Sequence, residues 1–378
     1  MKTGKLIWIA FLSALALLAC CDESGTDTSL VEDSYSQTEY DLIKTDSIGI
    51  DIGDSNYVFG MIVDATYLID GRIALLDLLK RKVFVYSDNG EFLGSAGGDG
   101  EGPGEFISPY SITHLSDGGL AVSDIQQGKV VFFDSDLCYL RELNGFQFMA
   151  PDRIRCGPDG SITGRIHSYY YDEDAEEVFT GSEFCLWSDS VSPDITYQEN
   201  YFPSSSDDRI SYNFCSNSEG SLVCALSSKT EYALIGYTPE GDASFAINIP
   251  WEITYVTQEE LDAARPYTVI PGPGSEATSA ELSSNWVPDS LRSAATIIGI
   301  DGEDRLWVKS GKGETASPVF DLYRMSDGSF ITSVKTTLPA IARYWSFRVS
   351  ESGILGWDHN PADFTRVYIL ELVEKNQL

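Results

Sequence analysis

One short pattern returns six times along the chain and limits its fold more than any other sequence feature. Each copy has an acidic residue, a small or polar residue, one further residue and an aliphatic residue that opens a strand. The copies are DGRIALLD from Asp70, DGGLAVSD from Asp117, DGSITGRI from Asp159, EGSLVCAL from Glu219, EDRLWVKS from Glu303 and ESGILGWD from Glu351. An acid and a glycine before alternating aliphatics indicate a hairpin, because glycine supplies the positive φ of the turn. The acids are 47, 42, 60, 84 and 48 residues apart, and a period of about 40 to 50 residues is typical of propellers and solenoids.

Each copy has room for four strands. In the first copy these are residues 57–69, 71–77, 82–87 and 91–97. Four-stranded units in series close into a ring, because a closed ring leaves few sheet edges exposed. The sequence therefore predicts an all-β fold over residues 39–378, a six-bladed β-propeller of four-stranded blades.

The sixth copy is one strand short. After Glu351 only GILGWD and RVYILELVE follow as strand segments, whereas residues 39–50 form a spare strand-like segment before the first copy. The economical arrangement makes residues 39–50 the outer strand of the sixth blade. We therefore expect an N-terminal strand to complete the last blade and lock the ring.

The long step between the fourth and fifth copies contains an insertion at residues 251–292. Residues 257–267 predict a short helix, with Thr257 as N-cap, Glu260 completing a capping box and Pro266 ending the helix. Long loops in compact domains are usually functional or mobile. We expect the insertion to lie over one mouth of the ring.

The N-terminus predicts export and lipid attachment. Lys2 and Lys5 precede an apolar run over residues 6–19, which is shorter than the about 20 residues of a transmembrane helix. Residues 17–19 before Cys20 resemble the bacterial lipobox, whose cysteine is acylated; an ordinary signal peptide is the alternative. We expect a signal peptide at 1–19, lipidation of Cys20 and a flexible tether at 20–38. The acidic residues after Cys20 resemble a surface-export signal of Bacteroidetes lipoproteins, so an outer membrane lipoprotein is predicted, facing the periplasm or the cell surface.

Charge and cysteine content exclude several partners. The chain has 58 acidic and 25 basic residues, a net charge of -33, so we expect no nucleic-acid binding, which needs clustered Lys and Arg. Cys215 and Cys224 could face each other across a hairpin, but buried thiols are the favoured state of the cysteines after Cys20. No spacing of Cys and His indicates a zinc site, and the sequence predicts neither a metal nor another cofactor.

Residues 97–109, GGDGEGPGEFISP, carry a resemblance to a known family. They are similar to the GxGPGEF linker of NHL-like six-bladed propellers, and with the blade pattern and the lipobox they resemble the six-bladed propeller lipoproteins of Bacteroidales. The resemblance implies the fold but no activity, because propellers include lyases, lactonases, sialidases and pure binders. Asp99, Glu101 and Glu105 of this linker could hold calcium, although exposed acids on a turn are the commoner explanation.

The inner strand of each blade lines the central channel of a propeller, and counting back from each acid locates it. Side chains four and six residues before the acid are mostly polar and those three and five before it mostly apolar, as on the two faces of a strand. We expect the polar face to tilt toward the channel. In the sixth blade the count and the polarity differ by one residue, and polarity favours Arg348. The candidate channel residues are Asp64, Arg153, Arg155, Asn213 and Arg348.

Three arginines at one channel point to an anionic ligand. Guanidinium groups in a recess bind carboxylate or sulfate through bidentate, charge-assisted hydrogen bonds. The alternative is that these arginines pair with Asp64, Asp152 or other acids and only hold neighbouring blades together.

No catalytic set can be assembled from the sequence. Of the three histidines, His114, His167 and His359, the first falls on the apolar face of its strand. Tyr344 lies near Arg348, as the tyrosine nucleophile of a sialidase would, but the chain lacks the repeated motif of those enzymes. We expect a membrane-anchored, non-catalytic binding or scaffold protein that uses one propeller mouth. Its partner would be an anionic small molecule, a glycan, a peptide or another envelope protein. The alternative is a hydrolase or lyase acting on an anionic glycan or peptide at the channel mouth.

Overall fold

A computed structural model describes residues 40–147, 149–205, 211–263, 290–313, 316–358 and 365–375. Its strands fall into groups of four, which we number as blades. Blade 6 includes the first strand of the chain, β1 (Tyr40–Ile48), and the others follow in order. Blade 1 has β2 (Ile62–Tyr67), β3 (Ile73–Asp77), β4 (Lys82–Tyr86) and β5 (Phe92–Gly97); blade 2 has β6 (Pro109–His114), β7 (Leu120–Asp124), β8 (Lys129–Phe133) and β9 (Tyr139–Asn144); blade 3 has β10 (Asp152–Cys156), β11 (Ile162–Asp172), β12 (Glu177–Trp187) and β13 (Ile195–Pro203). Blade 4 has β14 (Ser211–Ser216), β15 (Leu222–Ser227), β16 (Tyr232–Tyr237) and β17 (Ala243–Ile249); blade 5 has β18 (Ala295–Ile300), β19 (Arg305–Ser310), β20 (Val319–Arg324) and β21 (Phe330–Lys335); blade 6 has β22 (Ser346–Ser350), β23 (Gly353–Trp357), β24 (Val367–Glu374) and β1.

Strands within a blade are antiparallel. In blades 1 to 5 they follow chain order from the inside of the ring outward, and in blade 6 the first strand of the chain, β1, lies outside β24. Blades 1 to 4 are separate sheets, whereas blades 5 and 6 share one eight-stranded sheet through a single parallel pair, Gly299 with Val349. The prediction of an all-β propeller built from four-stranded blades is confirmed.

The repeated acids lie in one structural position. Each falls in the turn between the first and second strands of its blade, as Asp70 does between β2 and β3 and Asp117 between β6 and β7. The glycines that follow these two acids, Gly71 and Gly118, both have a φ of 88°, a conformation that side chains with a Cβ rarely adopt. The sequence repeat therefore reports a repeated tight turn.

The apolar core lies between the blades. Among the described residues, six buried clusters each join two neighbouring blades, so that every blade packs on the one before and the one after. The cluster between blades 6 and 1 contains Leu355 and Trp357 on one side and Ala65 and Tyr67 on the other. A blade standing alone would expose the apolar side chains on both of its faces to water. Each blade therefore depends on its two neighbours for stability.

The first strand is the outer strand of blade 6. β1 pairs with β24 from Tyr40 opposite Glu374 to Ile48 opposite Val367, with one irregularity between Lys44 and Asp46. Its apolar residues enter two blade interfaces, since Leu42 is buried between blades 5 and 6 and Ile48 between blades 6 and 1.

A short helix, α1 (Gln258–Ala263), occupies the described part of the insertion. The Glu260 backbone N–H donates to the Thr257 hydroxyl oxygen at 3.2 Å, and the Thr257 N–H donates to Glu260 Oε2 at 2.7 Å. These reciprocal bonds form the predicted capping box. Pro266, predicted to end the helix, lies outside the described residues.

Several predictions concern parts of the chain that the structure does not describe. They are the signal peptide, Cys20, the tether at 20–38 and His359, and they stay predictions. Within the described ranges no helix combines the length and the apolar character needed to cross a bilayer.

Candidate functional site

The topology defines two mouths of the ring. Because strands alternate in direction within a blade, three features lie at the mouth where the inner strands begin: the starts of those strands, the turns between second and third strands, and the connections between blades. We call it the entry mouth. The insertion with α1 connects blade 4 to blade 5 there, and the β11–β12 hairpin projects there too, because β10 pairs with β11 only as far as Arg165.

Arg348 crosses the channel. It starts from β22 in blade 6, and its side chain is only 4% exposed. Its Nη2 donates to the Ile112 carbonyl of blade 2 at 3.3 Å, and its Nη1 lies 3.7 Å from Asp64 Oδ1 of blade 1. That Nη1 has no hydrogen-bond partner among the described residues. Burial lowers the pKa of Arg348, an effect that the Asp64 carboxylate opposes.

Arg155 lies beside Arg348 and has no acid of its own. Its Nη1 donates to the Ile154 carbonyl at 2.8 Å, and its buried Nε has no partner in the described part of the chain, where it also forms no ion pair. Burial, and then the positive charge of Arg348, lower the pKa of Arg155 to about 9, while Asp64 raises it. The residue as a whole is partly exposed, but its Nε is buried.

Arg153 and Lys309 continue the positive charge toward the entry mouth. Arg153 is exposed near the start of β10 and has a φ of 51° at an irregularity in the β10–β11 pairing. Lys309 Nζ donates to the carbonyls of Arg343 and Trp345, each at 3.3 Å. Burial lowers the pKa of Lys309 to about 8, helped by the charges of Arg343 and Arg153. Positive groups thus extend from the rim to the middle of the channel.

Asp64 and Asn213 hold neighbouring blades together. Asp64 Oδ2 accepts hydrogen bonds from the Ser111 hydroxyl at 2.9 Å and from the Ile112 N–H at 3.0 Å. Asn213 Oδ1 accepts from the Ile297 N–H at 2.5 Å and joins blade 4 to blade 5 in the same way. Both are polar because they accept an N–H from the next inner strand, and Asp64 also partly balances Arg348.

The suggested pairing of the channel arginines with acids therefore has a mixed outcome. Arg348 faces Asp64 at 3.7 Å. Asp152 instead binds Arg165, with Arg165 Nε 2.9 Å from Asp152 Oδ1, and has His167 at 3.7 Å. Within the described residues, Arg153 and Arg155 form no ion pair with any acid.

His114 ends the inner strand β6, and the sequence did not select it as a candidate. Burial lowers its pKa to about 4, as do the charges of Arg348 and Arg155, so the imidazole is neutral at pH 7. Its buried Nδ1 has no hydrogen-bond partner in the described residues. Alternation placed His114 on an apolar face, and only the reach of Arg348 from blade 6, two blades away, reveals its polar surroundings.

A buried ion cluster fixes the rim at the insertion. Glu260 is fully buried; Arg292 binds it through Nε to Oε1 at 3.2 Å and Nη2 to Oε2 at 2.6 Å, and Arg343 Nε lies 2.7 Å from Oε1. The Tyr344 hydroxyl donates to the Glu260 carbonyl at 3.1 Å. These contacts attach α1 to the segment just before β22, since Arg343 and Tyr344 of that segment both bind Glu260.

The remaining candidates lie in structural contacts. In the linker Arg81 pairs with Asp99, and Glu105 Oε2 accepts from the Gly102 N–H at 2.9 Å. In the described ranges no group of three or more His, Cys, Asp and Glu residues has the arrangement of a metal site. Cys215 and Cys224 are buried free thiols in different interface clusters.

Comparisons with known proteins agree with this architecture. The model of a family described as 6-bladed beta-propeller (DUF5128) matches residues 58–158, which contain blades 1 and 2 and the inner strand of blade 3. A search of curated proteins finds no match.

Three similar solved structures have low sequence identity. A protein of Bacteroides fragilis named as exported is 13% identical, with a TM-score of 0.48, and the match covers 90% of this chain and 98% of that one. A DUF4221 member from Bacteroides vulgatus is 10% identical, with a TM-score of 0.45 and coverage of 90% and 100%. Virginiamycin B lyase from Staphylococcus aureus is 14% identical, with a TM-score of 0.42 and coverage of 89% of each chain. The four-stranded blades and the family match together identify the chain as a β-propeller.

Proposed function

We propose that this propeller is a non-catalytic binding module that takes the carboxylate of an anionic ligand in its central channel, on Arg155 and Arg348. The observation that carries the proposal is Arg155, a partly exposed residue of an inner strand with a buried Nε that lacks a partner among the described residues. A buried donor without an acceptor costs about 1 to 3 kcal/mol, and more when it is charged. A bound carboxylate removes this cost.

Charge supports an anion rather than a neutral ligand. Arg155 and Arg348 share one nearby carboxylate, Asp64, so the middle of the channel carries a net positive charge. The whole chain carries a net charge of -33, so a general excess of basic residues does not explain this cluster. Low-dielectric walls strengthen the attraction for an anion, and guanidinium groups match the planar shape of a carboxylate.

The first test is binding of D-glucuronate to the protein and to Arg155→Gln. We expect glucuronate to raise the melting temperature of the wild type in proportion to the logarithm of its excess, with about 2.7 kcal/mol of stabilisation at one hundred times Kd. Loss of a charge-assisted pair should weaken binding about 10- to 100-fold in Arg155→Gln. Isothermal titration calorimetry measures both constants.

Arg324→Gln is the matched control, because it removes the same charge from an exposed arginine that pairs with Asp327. It should bind glucuronate within about twofold of the wild type, since exposed pairs contribute little. Equal weakening by Arg155→Gln and Arg324→Gln, or no stabilisation by glucuronate, sulfate and acetate alike, contradicts the proposal.

The proposal includes anchoring of the propeller to the outer membrane through lipidated Cys20, on the periplasmic or the cell-surface side. Support comes from the sequence around Cys20. Two acyl signals give stable membrane attachment, whereas a protein without them dissociates. We expect Cys20→Ala to move the protein from the membrane fraction to the supernatant of lysed cells and to abolish labelling by a clickable fatty acid. A Cys21→Ala control should remain in the membrane, and an unchanged distribution of Cys20→Ala would rule out this anchor.

A further inference from the structure

We infer that the channel ligand carries a hydroxyl group next to its carboxylate, and that His114 binds this hydroxyl; the ligand class is thus an α-hydroxy acid. The inference rests on the proposed carboxylate site at Arg155 and Arg348. It adds a specificity-determining residue that contacts ligand and names the chemistry that this residue selects.

The position of His114 follows from the strand it occupies. Arg348 donates to the carbonyl of Ile112 on β6, and His114 lies two residues further along this strand. Two residues span about 7 Å along a strand, so the backbone of His114 lies about that far from the carbonyl that Arg348 binds. A ligand carboxylate on Arg348 would therefore have His114 within reach of its neighbouring atoms.

The chemistry of His114 suits a hydroxyl group rather than a second anion. The charges of Arg348 and Arg155, together with burial, keep the imidazole neutral at pH 7. A neutral imidazole offers one donor and one acceptor nitrogen. A hydroxyl can both donate and accept, so it can bind either tautomer, whereas a second carboxylate finds no charge on this side chain.

Orphaned polar atoms concentrate at this part of the channel. In the portion of the chain that the structure describes, nine buried side-chain nitrogen or oxygen atoms lack a hydrogen-bond partner. Four of these atoms are on the inner strands β6, β10 and β22: Thr113 Oγ1, His114 Nδ1, Arg155 Nε and Arg348 Nη1. Two guanidinium donors need an acceptor with negative charge, and the imidazole nitrogen needs a neutral polar group. A simple carboxylate meets only the first need.

The experiment compares ligand pairs that differ in their hydroxyl groups. Lactate is propionate with a hydroxyl next to the carboxylate, and 1-hydroxycyclohexanecarboxylate against cyclohexanecarboxylate makes the same comparison on a ring. Calorimetry on the full-length protein should give lactate a Kd about 3- to 10-fold lower than propionate, the value of one neutral hydrogen bond.

Variants at His114 assign the preference to this side chain. His114→Leu should bring the lactate-to-propionate ratio to about one while the Kd of propionate stays within about twofold, and His114→Asn should restore part of the ratio because its amide donates and accepts. Equal Kd values of lactate and propionate in the wild type overturn the inference and leave the carboxylate site standing. If no carboxylate binds and Arg155→Gln changes nothing, the proposed function itself fails. The wild-type comparison decides the question even if a His114 variant does not fold.

Discussion

Replacing Glu260 by alanine is expected to cost about 3 to 5 kcal/mol of folding free energy, the range found when one partner of a buried ion pair is removed. Glu260 is fully buried and accepts from both Arg292 and Arg343. Without it, two buried guanidinium groups lose this carboxylate, although backbone carbonyls still accept from them. The capping box of α1 is lost with the same substitution. Chemical denaturation of the wild type and the variant measures the difference, provided that the free energy of unfolding depends on denaturant concentration with the same slope in both.

Glu259→Ala is the matched control for this prediction. Glu259 precedes Glu260 on the same helix but is exposed, so its removal should change the free energy of unfolding by less than about 0.5 kcal/mol. If both variants lose the same stability, the ion cluster does not hold the insertion. A loss confined to Glu260→Ala, accompanied by proteolytic cleavage near the insertion, supports it.

The same cluster makes stability depend on pH. Burial alone would raise the pKa of Glu260, but hydrogen bonds from Arg292 and Thr257 and the charge of Arg343 hold it below its ordinary value of 4.5. A carboxyl group whose pKa is lower in the folded state contributes stability above its unfolded pKa and loses it as the pH falls through the folded value. The stability gap between wild type and Glu260→Ala should therefore narrow as the pH drops below about 4.5.

Local sequence patterns sufficed for the fold and for one detail of the insertion. The hairpin turns after Asp70 and Asp117 need only a few consecutive residues, as does the capping box of Thr257 and Glu260, so their signals are complete within the sequence. The blade number follows because such a turn occurs once in each blade. Elements that depend on short segments are thus predictable without coordinates.

The site depended on contacts between distant parts of the chain, and the sequence could predict it only in part. Counting positions selected Arg155, and polarity selected Arg348. The polar residues Asp64 and Asn213 also join blades, through the backbone N–H groups of Ile112 and Ile297. Alternation within a strand cannot distinguish a channel group from such an interface group, because both are polar. It also assigned His114 to packing, since the charges that surround it come from β10 and β22.

Ring closure by β1 leads to the other large effect. A chain that lacks residues 1–49 should fail to form a stable propeller, because β24 would become an unpaired edge with the sequence VYILELVE. Two interface clusters would also lose fully buried residues, Leu42 and Ile48.

Single substitutions test the same contacts with a smaller change. Leu42→Ala should lower the free energy of unfolding by about 2 to 5 kcal/mol. Ser47→Ala, at an exposed position of the same strand, should cost almost nothing. Thermal and chemical unfolding followed by circular dichroism give these values.

Adding the strand back separately distinguishes closure from a general effect of truncation. A synthetic peptide of residues 39–50 should restore cooperative unfolding to the shortened chain, because its backbone pairs with β24 and its Leu42 enters the cluster between blades 5 and 6. The same peptide with Leu42→Asp should fail, since it would place a charge among apolar side chains. If the shortened chain unfolds at the wild-type temperature without any peptide, β1 does not hold the ring closed. Rescue by the apolar peptide alone would show that blade 6 is completed by a strand from the other end of the domain.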